Sequence, residues 1–294
     1  MLMKRSWKQI EKKWEVLSHQ PGFRRAPMRS ARRLISWRAR CLLETDVVVR
    51  LPRWNLRMHL PAAWRGIAKF MFVFREDYEP ELTYLEKILS PGKTFIDVGA
   101  SFGIYSLVGS RLVGRTGHVM SFEPTSTSFK ILEQNVALNG LVNVSASPLA
   151  LCHTTGTTWL YHGVEPGSNS LGKGSVHGQK GEVVSSQCLD SVLVQSSVHR
   201  VDVIKMDVEG AEELVLRGAK KTLTTFEPII IYEVVPERTE ALRLSERGAW
   251  DFLDQLGYQF FVIGPEGQLT RQKSPPVNRN VVALHRRQEG RLVP

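Results

Sequence analysis

The sequence predicts an α/β fold, a mostly parallel seven-stranded sheet with helices on both faces, preceded by a basic helical extension. Three observations carry that expectation. From Lys93 onward, short apolar runs alternate with segments of helical period; a glycine turn follows the first of those runs; and the charge balance changes sharply before that region begins. Taken in order, the runs place strands at 94–98, 118–122, 143–149, 201–206, 228–234, 258–263 and 280–285. Helices are expected between them at about 103–113, 126–139, 211–224 and 247–256. A stretch rich in Gly, Ser and His from Leu151 to Asp190 interrupts the alternation, where a substrate loop or small hairpin fits.

At 294 residues and 42% hydrophobic, the chain is long enough for one large catalytic core and an extension, and too apolar to be disordered. Its net charge of +10 is uneven. Residues 1–70 hold 17 of the 39 Lys and Arg but 4 of the 29 Asp and Glu, so the remainder is slightly acidic. The division that follows is a basic helical extension (1–45), a lead-in hairpin and helix (46–92), and the catalytic domain (93–287).

Within the extension, Met3, Trp7, Ile10, Trp14 and Leu17 recur at helical spacing while Lys4, Arg5, Lys8, Lys12 and Lys13 fall elsewhere. Such stripes usually pack against protein, so docking on the catalytic domain or self-association is expected. Peripheral contact with an anionic membrane is the alternative. Pro21-Gly22 ends this helix, and Ser30 is the expected cap of a second one reaching Leu43. Strands at 46–51 and 56–60 around Pro52-Arg53, then a helix over 79–89, complete a lead-in expected to lid the core.

No run approaches the roughly 20 apolar residues of a membrane span, and the N-terminus lacks the apolar stretch of a secretory signal. Cys41, Cys152 and Cys188 have neither disulfide nor zinc spacing. A cytoplasmic protein is expected. The Arg-rich, acid-poor stretch from Arg24 to Arg40 makes organelle import the alternative.

The chemistry gathers at strand ends. In an open α/β sheet, ligands bind beyond the carboxyl ends of the strands, and there Gly99 and Gly103 let backbone approach a ligand closely. Their GxxxG spacing lacks the third glycine of a dinucleotide turn, which argues against a nicotinamide-dependent oxidoreductase. About 20 residues on, Glu123 ends the second strand, where a carboxylate can accept both hydrogen bonds of a ribose diol. Asp207 and Glu209 follow the fourth strand beside Lys205, and Glu233 ends the fifth. Each is a candidate for removing a proton from a reacting group.

Phe95-Ile96-Asp97-Val98-Gly99-Ala100, Ser121-Phe122-Glu123-Pro124, Asn135 to Gly140, Gly167 to Leu171 and Ile204 to Glu212 together resemble the FkbM family of methyltransferases, in family order over roughly 76–285. Tyr78-Glu79-Pro80-Glu81 is similar to the segment that leads into that family's domain. The resemblance implies a class I methyltransferase (Rossmann-like) fold, S-adenosyl-L-methionine as donor, and O-methylation of a hydroxyl on a sugar, glycolipid or natural product. It implies that Asp97, Gly99 and Gly103 surround the methionyl part, Glu123 the ribose, and Ala150 and Leu151 the adenine, with Ala100 and Ser101 also on the cofactor. Asn169 and Ser170 become substrate-binding candidates, and Asp207, Glu233 and Glu209 catalytic ones. Two departures stand out: Ser101 replaces the family's usual Asn, and Val235 stands where a His commonly precedes the proline.

The expected partner is a small-molecule or glycan acceptor. A nucleic-acid methyltransferase is prompted by the basic, Trp-containing extension. It is opposed by the slightly acidic core and by the lack of an Asn/Asp-Pro-Pro-aromatic motif or a Pro-Cys nucleophile. A non-catalytic module that binds cofactor or partner is the other rival. His153, His162 and His177 lie in the long excursion without paired ligand spacing, so no metal is expected.

Overall fold

The computed structural model describes residues 21–163, 169–172, 180–196, 198–264 and 267–288. The predicted helix over Met3 to Leu17 lies outside these residues. The described chain opens with two helices, α1 (Pro21–Arg25) and α2 (Pro27–Leu42), each begun by a proline whose fixed φ suits the first helical turn. Ser30 is therefore not a cap. It sits inside α2, where its buried hydroxyl donates to the Gly22 carbonyl at 3.5 Å.

The hairpin is as expected: β1 (Val47–Leu51) pairs antiparallel with β2 (Leu56–Leu60), Val47 opposite Leu60, and left-handed Asn55 closes the turn. The sequence reading missed α3 (Ile67–Phe74), whose apolar residues run almost without interruption and so leave no polar face to mark a helical period. Trp37 of α2 packs on Phe72 of α3, ring centroids 5.2 Å apart. After α4 (Pro80–Ile88) the main alternation begins with β3 (Thr94–Val98), α5 (Ile104–Val113), β4 (His118–Phe122), α6 (Ser126–Leu138) and β5 (Val144–Ser147).

The strand expected over 143–149 breaks at Pro148, which has no N–H to give a ladder. Beyond it, β6 (Leu149–Leu151), β7 (Gly156–Tyr161) and β8 (Gly181–Gln187) form a separate three-stranded sheet in the order β6-β8-β7. This is the hairpin allowed for in the Gly- and Ser-rich excursion. It is followed by α7 (Leu189–Gln195), β9 (Val203–Met206), α8 (Glu212–Arg217) and α9 (Lys220–Phe226). A single helix over 211–224 was expected. The chain instead restarts at Gly218, where a Cβ would lie 2.1 Å from the Cys152 carbonyl oxygen. Then come β10 (Ile229–Val234), α10 (Pro236–Ala241), α11 (Gly248–Gln255), β11 (Tyr258–Ile263), β12 (Leu269–Gln272) and β13 (Arg279–His285).

The main sheet runs β12-β11-β13-β10-β9-β3-β4-β5, so it has eight strands where seven were expected. The extra one, β12, is a short polar edge strand paired antiparallel with β11. β13 runs antiparallel between β10 and β11, and the other strands are parallel. Apart from its extra edge strand, this is the expected class I methyltransferase arrangement. All five residues of β3 are buried, and neighbouring side chains serve opposite faces. Phe95 packs with the hairpin, α3, α4 and α5; Ile96 and Val98 pack with α7, α8, α9 and α11. The lead-in is thus one of the two layers that cover the sheet, rather than simply a lid.

Candidate active site

The carboxyl ends of β3, β4 and β9 open into a cleft of about 660 Å³, part of it continuous with solvent. Gly99, at φ +75°, lies on its wall, and a Cβ there would come 2.0 Å from the carbonyl oxygen of Asp207. The glycine is required because the two strand ends converge. Gly99 and Ala100 both donate their N–H to the Phe122 carbonyl, at 2.9 and 3.0 Å, which holds the turn against β4. Ser101 also lies on the wall, in a left-handed conformation (φ 50°), and its buried hydroxyl oxygen has no protein partner.

Three of the residues expected on the cofactor, Asp97, Ala100 and Gly103, lie behind this wall. Ala100 is buried; Gly103, at φ +92°, faces Leu132, whose Cδ1 would be 2.5 Å from an added Cβ. Its freedom serves helix packing. Asp97 is wholly buried and accepts the Ser106 hydroxyl at 2.6 Å, with its Oδ1 unpaired. Burial pushes its carboxyl above the ordinary range against the pull of Lys205.

Glu123 lies on the wall and joins two loops: one carboxylate oxygen accepts the Ser101 N–H at 2.8 Å, the other the Thr125 N–H at 2.9 Å. It thus ties the start of α6 while facing the cleft, and it is buried rather than a solvated charge. Burial raises its pKa while these amides oppose the rise. A carboxylate offers about four lone pairs; the two amides and the Thr125 side chain engage three, so one remains for a ligand hydroxyl. Across from it, Ala150 and Leu151 join Leu149, Leu160 and Leu171 in an apolar wall supplied largely by the small sheet. Asn169 lines the cleft, but its amide is engaged with the Thr125 hydroxyl and the Gly163 N–H, both at 2.9 Å. Ser170 donates to the Glu209 carbonyl at 2.9 Å and is not on the wall.

Asp207 stands at the rim with its side chain 42% exposed, 3.3 Å from the Lys205 ammonium, which is 5% exposed. Burial alone would lower the pKa of Lys205, but the carboxylates of Asp207, Asp97 and Glu79 outweigh it and raise the value. Glu209, left-handed at φ 57°, also lines the cleft, and it shares the Arg238 guanidinium with Glu233. Burial, followed by repulsion from Asp207, raises Glu209 to about 8 and Glu233 to about 7. Glu233 is not on the cleft wall. It opens onto a neighbouring recess with Tyr232 and Glu212.

Several groups in this arrangement escaped the sequence reading. Glu79, raised to about 7 by burial and by Glu81, accepts the Tyr105 hydroxyl, and the Tyr105 ring lies 4.4 Å from the Lys205 ammonium. Arg238 binds the two glutamates from α10. Only the Tyr78 to Glu81 motif gave any hint of the first contact, and nothing in sequence spacing indicated the second. Among the described residues, no group of three or more His, Cys, Asp and Glu is arranged to hold a metal ion, and no helix is long and apolar enough to cross a membrane. His162 pairs with Glu182 at 3.1 Å, His153 neighbours the Cys152 sulfur at 3.4 Å, and His177 lies outside the described residues.

The cleft fits a ligand with an apolar planar end, a diol and a polar tail. The Leu149 to Leu151 wall suits the first, Glu123 the second, and the unpaired Ser101 hydroxyl lies where polar groups would be satisfied. S-adenosyl-L-methionine has that character.

A family model described as the methyltransferase FkbM domain matches residues 97–260, more than half of the chain. The chain is 28% identical over 178 residues to methyltransferase sdnD of Sordaria araneosa, covering 50% of this chain and 68% of that one. Among solved structures, methyltransferase FkbM of Methylobacillus flagellatus aligns at 16% identity and TM-score 0.42, covering 74% of this chain and 54% of that one. A SAM-dependent O-methyltransferase of Thermotoga maritima aligns at 13% identity and TM-score 0.40, covering 81% and 77%.

Proposed function

Because the chain belongs to the FkbM methyltransferase family, we propose that it transfers a methyl group from S-adenosyl-L-methionine to a hydroxyl of a sugar, glycolipid or natural product, with Asp207 as the proton acceptor. The observation that carries this reading is the convergence on one cleft of Glu123, Ser101 and Asp207, from the ends of three adjacent strands.

When bound, the donor supplies an electrophilic methyl carbon on a sulfonium. The protein's part is to align the acceptor and take up its proton. In this reading Glu123 accepts from the ribose, Ser101 contributes its hydroxyl, and Leu149, Ala150 and Leu151 exclude water around the base. Asp207 receives the acceptor proton at a carboxylate oxygen. Lys205, held between Asp207 and the Tyr105 ring, fixes that carboxylate at the rim. Glu209 reaches the same wall and neutralises Arg238 together with Glu233, so the latter acts on the site through charge rather than contact. With no His before Pro236, a carboxylate at Asp207 is the basic group best placed for the task.

The test has two arms. Calorimetry measures S-adenosyl-L-methionine binding to the purified protein. Comparing metabolite and glycolipid extracts incubated with and without protein and donor then looks for a gain of about 14 mass units, the CH₂ added by one methyl transfer. Saturable binding with such a gain on a hydroxylated molecule is expected. Binding without methylation of any extract component would support the non-catalytic alternative, and methylation of nucleic acid alone would overturn the acceptor class.

A further inference from the structure

Helix α2 is apolar on two sides, and only one of them is covered. Ser30, Trp37 and the partly buried Leu34 and Cys41 face the protein, with Trp37 on Phe72 of α3. On the opposite side Met28, Ile35 and Leu42 recur every seven residues at 82%, 70% and 84% exposure. Ala31 and Ala39 fall on the same face by helical spacing, and both are exposed.

At 100° per residue, this strip is edged by Arg29 and Arg32 on one flank and Arg38 on the other, all exposed. Between Glu15 and Glu44 the chain holds seven arginines and no Asp or Glu. Arg25 pairs with Asp77, and Arg33 donates to the Val73 carbonyl at 2.9 Å. Arg24, Arg29, Arg32 and Arg38 have no carboxylate partner among the described residues.

From this pattern we infer that the outer face of α2 docks on an anionic lipid surface, with Met28, Ile35 and Leu42 entering the headgroup boundary and Arg29, Arg32 and Arg38 on lipid phosphates. Charge decides among the occupants of the strip. A second copy of α2 would bring arginines against arginines with no acid to pair them. Residues 1–20 carry Lys4, Arg5, Lys8, Lys12 and Lys13 against Glu11 and Glu15, so they too would bring net positive charge to a positive face. An anionic bilayer satisfies the apolar strip and both arginine edges at once, and it attracts the preceding basic residues in the same direction. Docking would also bear on the cleft, because α2 packs on α3 and Ile67, the first residue of α3, forms part of the cleft wall.

The experiment is co-sedimentation of the full-length protein with vesicles of phosphatidylcholine alone or mixed with phosphatidylglycerol, at low and high salt. Binding is expected with the anionic vesicles and should weaken as salt rises. Ile35→Ser should lower the partition coefficient about tenfold, and R29Q/R32Q/R38Q about a hundredfold, from roughly fivefold per arginine. Melting temperatures should be unchanged, because all four positions are exposed. Equal partition of wild type and variants would overturn the inference. So would a dimer in sedimentation velocity that I35S dissociates, or an Ile35→Cys variant whose new thiol resists labelling in the lipid-free protein until residues 1–20 are removed. Those last two results would assign the strip to a second copy and to the chain's own start.

Discussion

The two halves of the cleft are held by opposite means. At the ends of β3 and β4, one carboxylate is fixed by two backbone amides: Glu123 accepts from Ser101 and Thr125, and little else there is charged. At the ends of β9 and β10, Asp207, Glu209 and Glu233, with Glu79 from the lead-in, gather around Lys205 and Arg238. Amides fix a position at any ordinary pH, whereas surplus carboxylates in a buried cluster must share protons. On the proposed function, the difference separates a place for holding a ligand from a place for exchanging protons with one.

The comparison breaks most sharply at Asp207. Asp207→Asn is expected to lower kcat on the identified acceptor by about 10²- to 10⁴-fold, as loss of a general base does, while calorimetric affinity for S-adenosyl-L-methionine stays within about twofold. Loss of affinity with kcat retained would exchange the roles of the two halves. Next, Lys205→Met removes the buried cation from among Asp207, Asp97 and Glu79, and stability in urea should fall by about 3–5 kcal/mol. Glu123→Ala, on the amide-held side, should weaken S-adenosyl-L-methionine binding by about 1.5–3 kcal/mol, the worth of hydrogen bonds to a charged group.

The charge-rich half also predicts a dependence on pH. Burial holds Glu79, Glu212 and Glu233 at about 7 and Glu209 at about 8, against an ordinary value of 4.5. The folded protein therefore binds more protons than the unfolded chain across that window. The stabilisation is complete below the unfolded pKa and is lost as pH rises through the folded values, so the melting temperature should decline between about pH 5 and about pH 9. Glu212→Gln should flatten that decline, and scanning calorimetry at a series of pH values checks both. Ser101→Gly has the smallest expected effect: it relieves a left-handed serine and should raise stability by about 0.5–1 kcal/mol, measured by thermal unfolding.

What was legible in the sequence follows the same divide. The amide-held half is local: Gly99 and Glu123 sit at strand ends about 20 residues apart, and strand period with glycine punctuation locates both. The same logic does not distinguish Gly103, because a glycine that admits Leu132 and one that admits a ligand look alike in sequence. The charge-rich half is assembled from distant segments. Glu79, from the lead-in, accepts the Tyr105 hydroxyl and acts on Lys205 through charge, and Arg238 bridges Glu209 and Glu233 across a strand-to-helix turn, pairings that no periodicity encodes. Helix α3 was hidden because it is apolar nearly all round, and the eighth strand because it is short and polar. The alternation from Lys93 gave the parallel sheet, but Pro148, which ends one sheet and starts another, could not be told from a bend within a strand.

The Glu123 contacts also set the thermodynamic character of ligand capture. Since the protein's own amides already position this carboxylate, it need not be reoriented to meet a ligand hydroxyl. Docking there should therefore lose little chain entropy, and affinity should depend on the few hydroxyl contacts made rather than on any refolding of the turn.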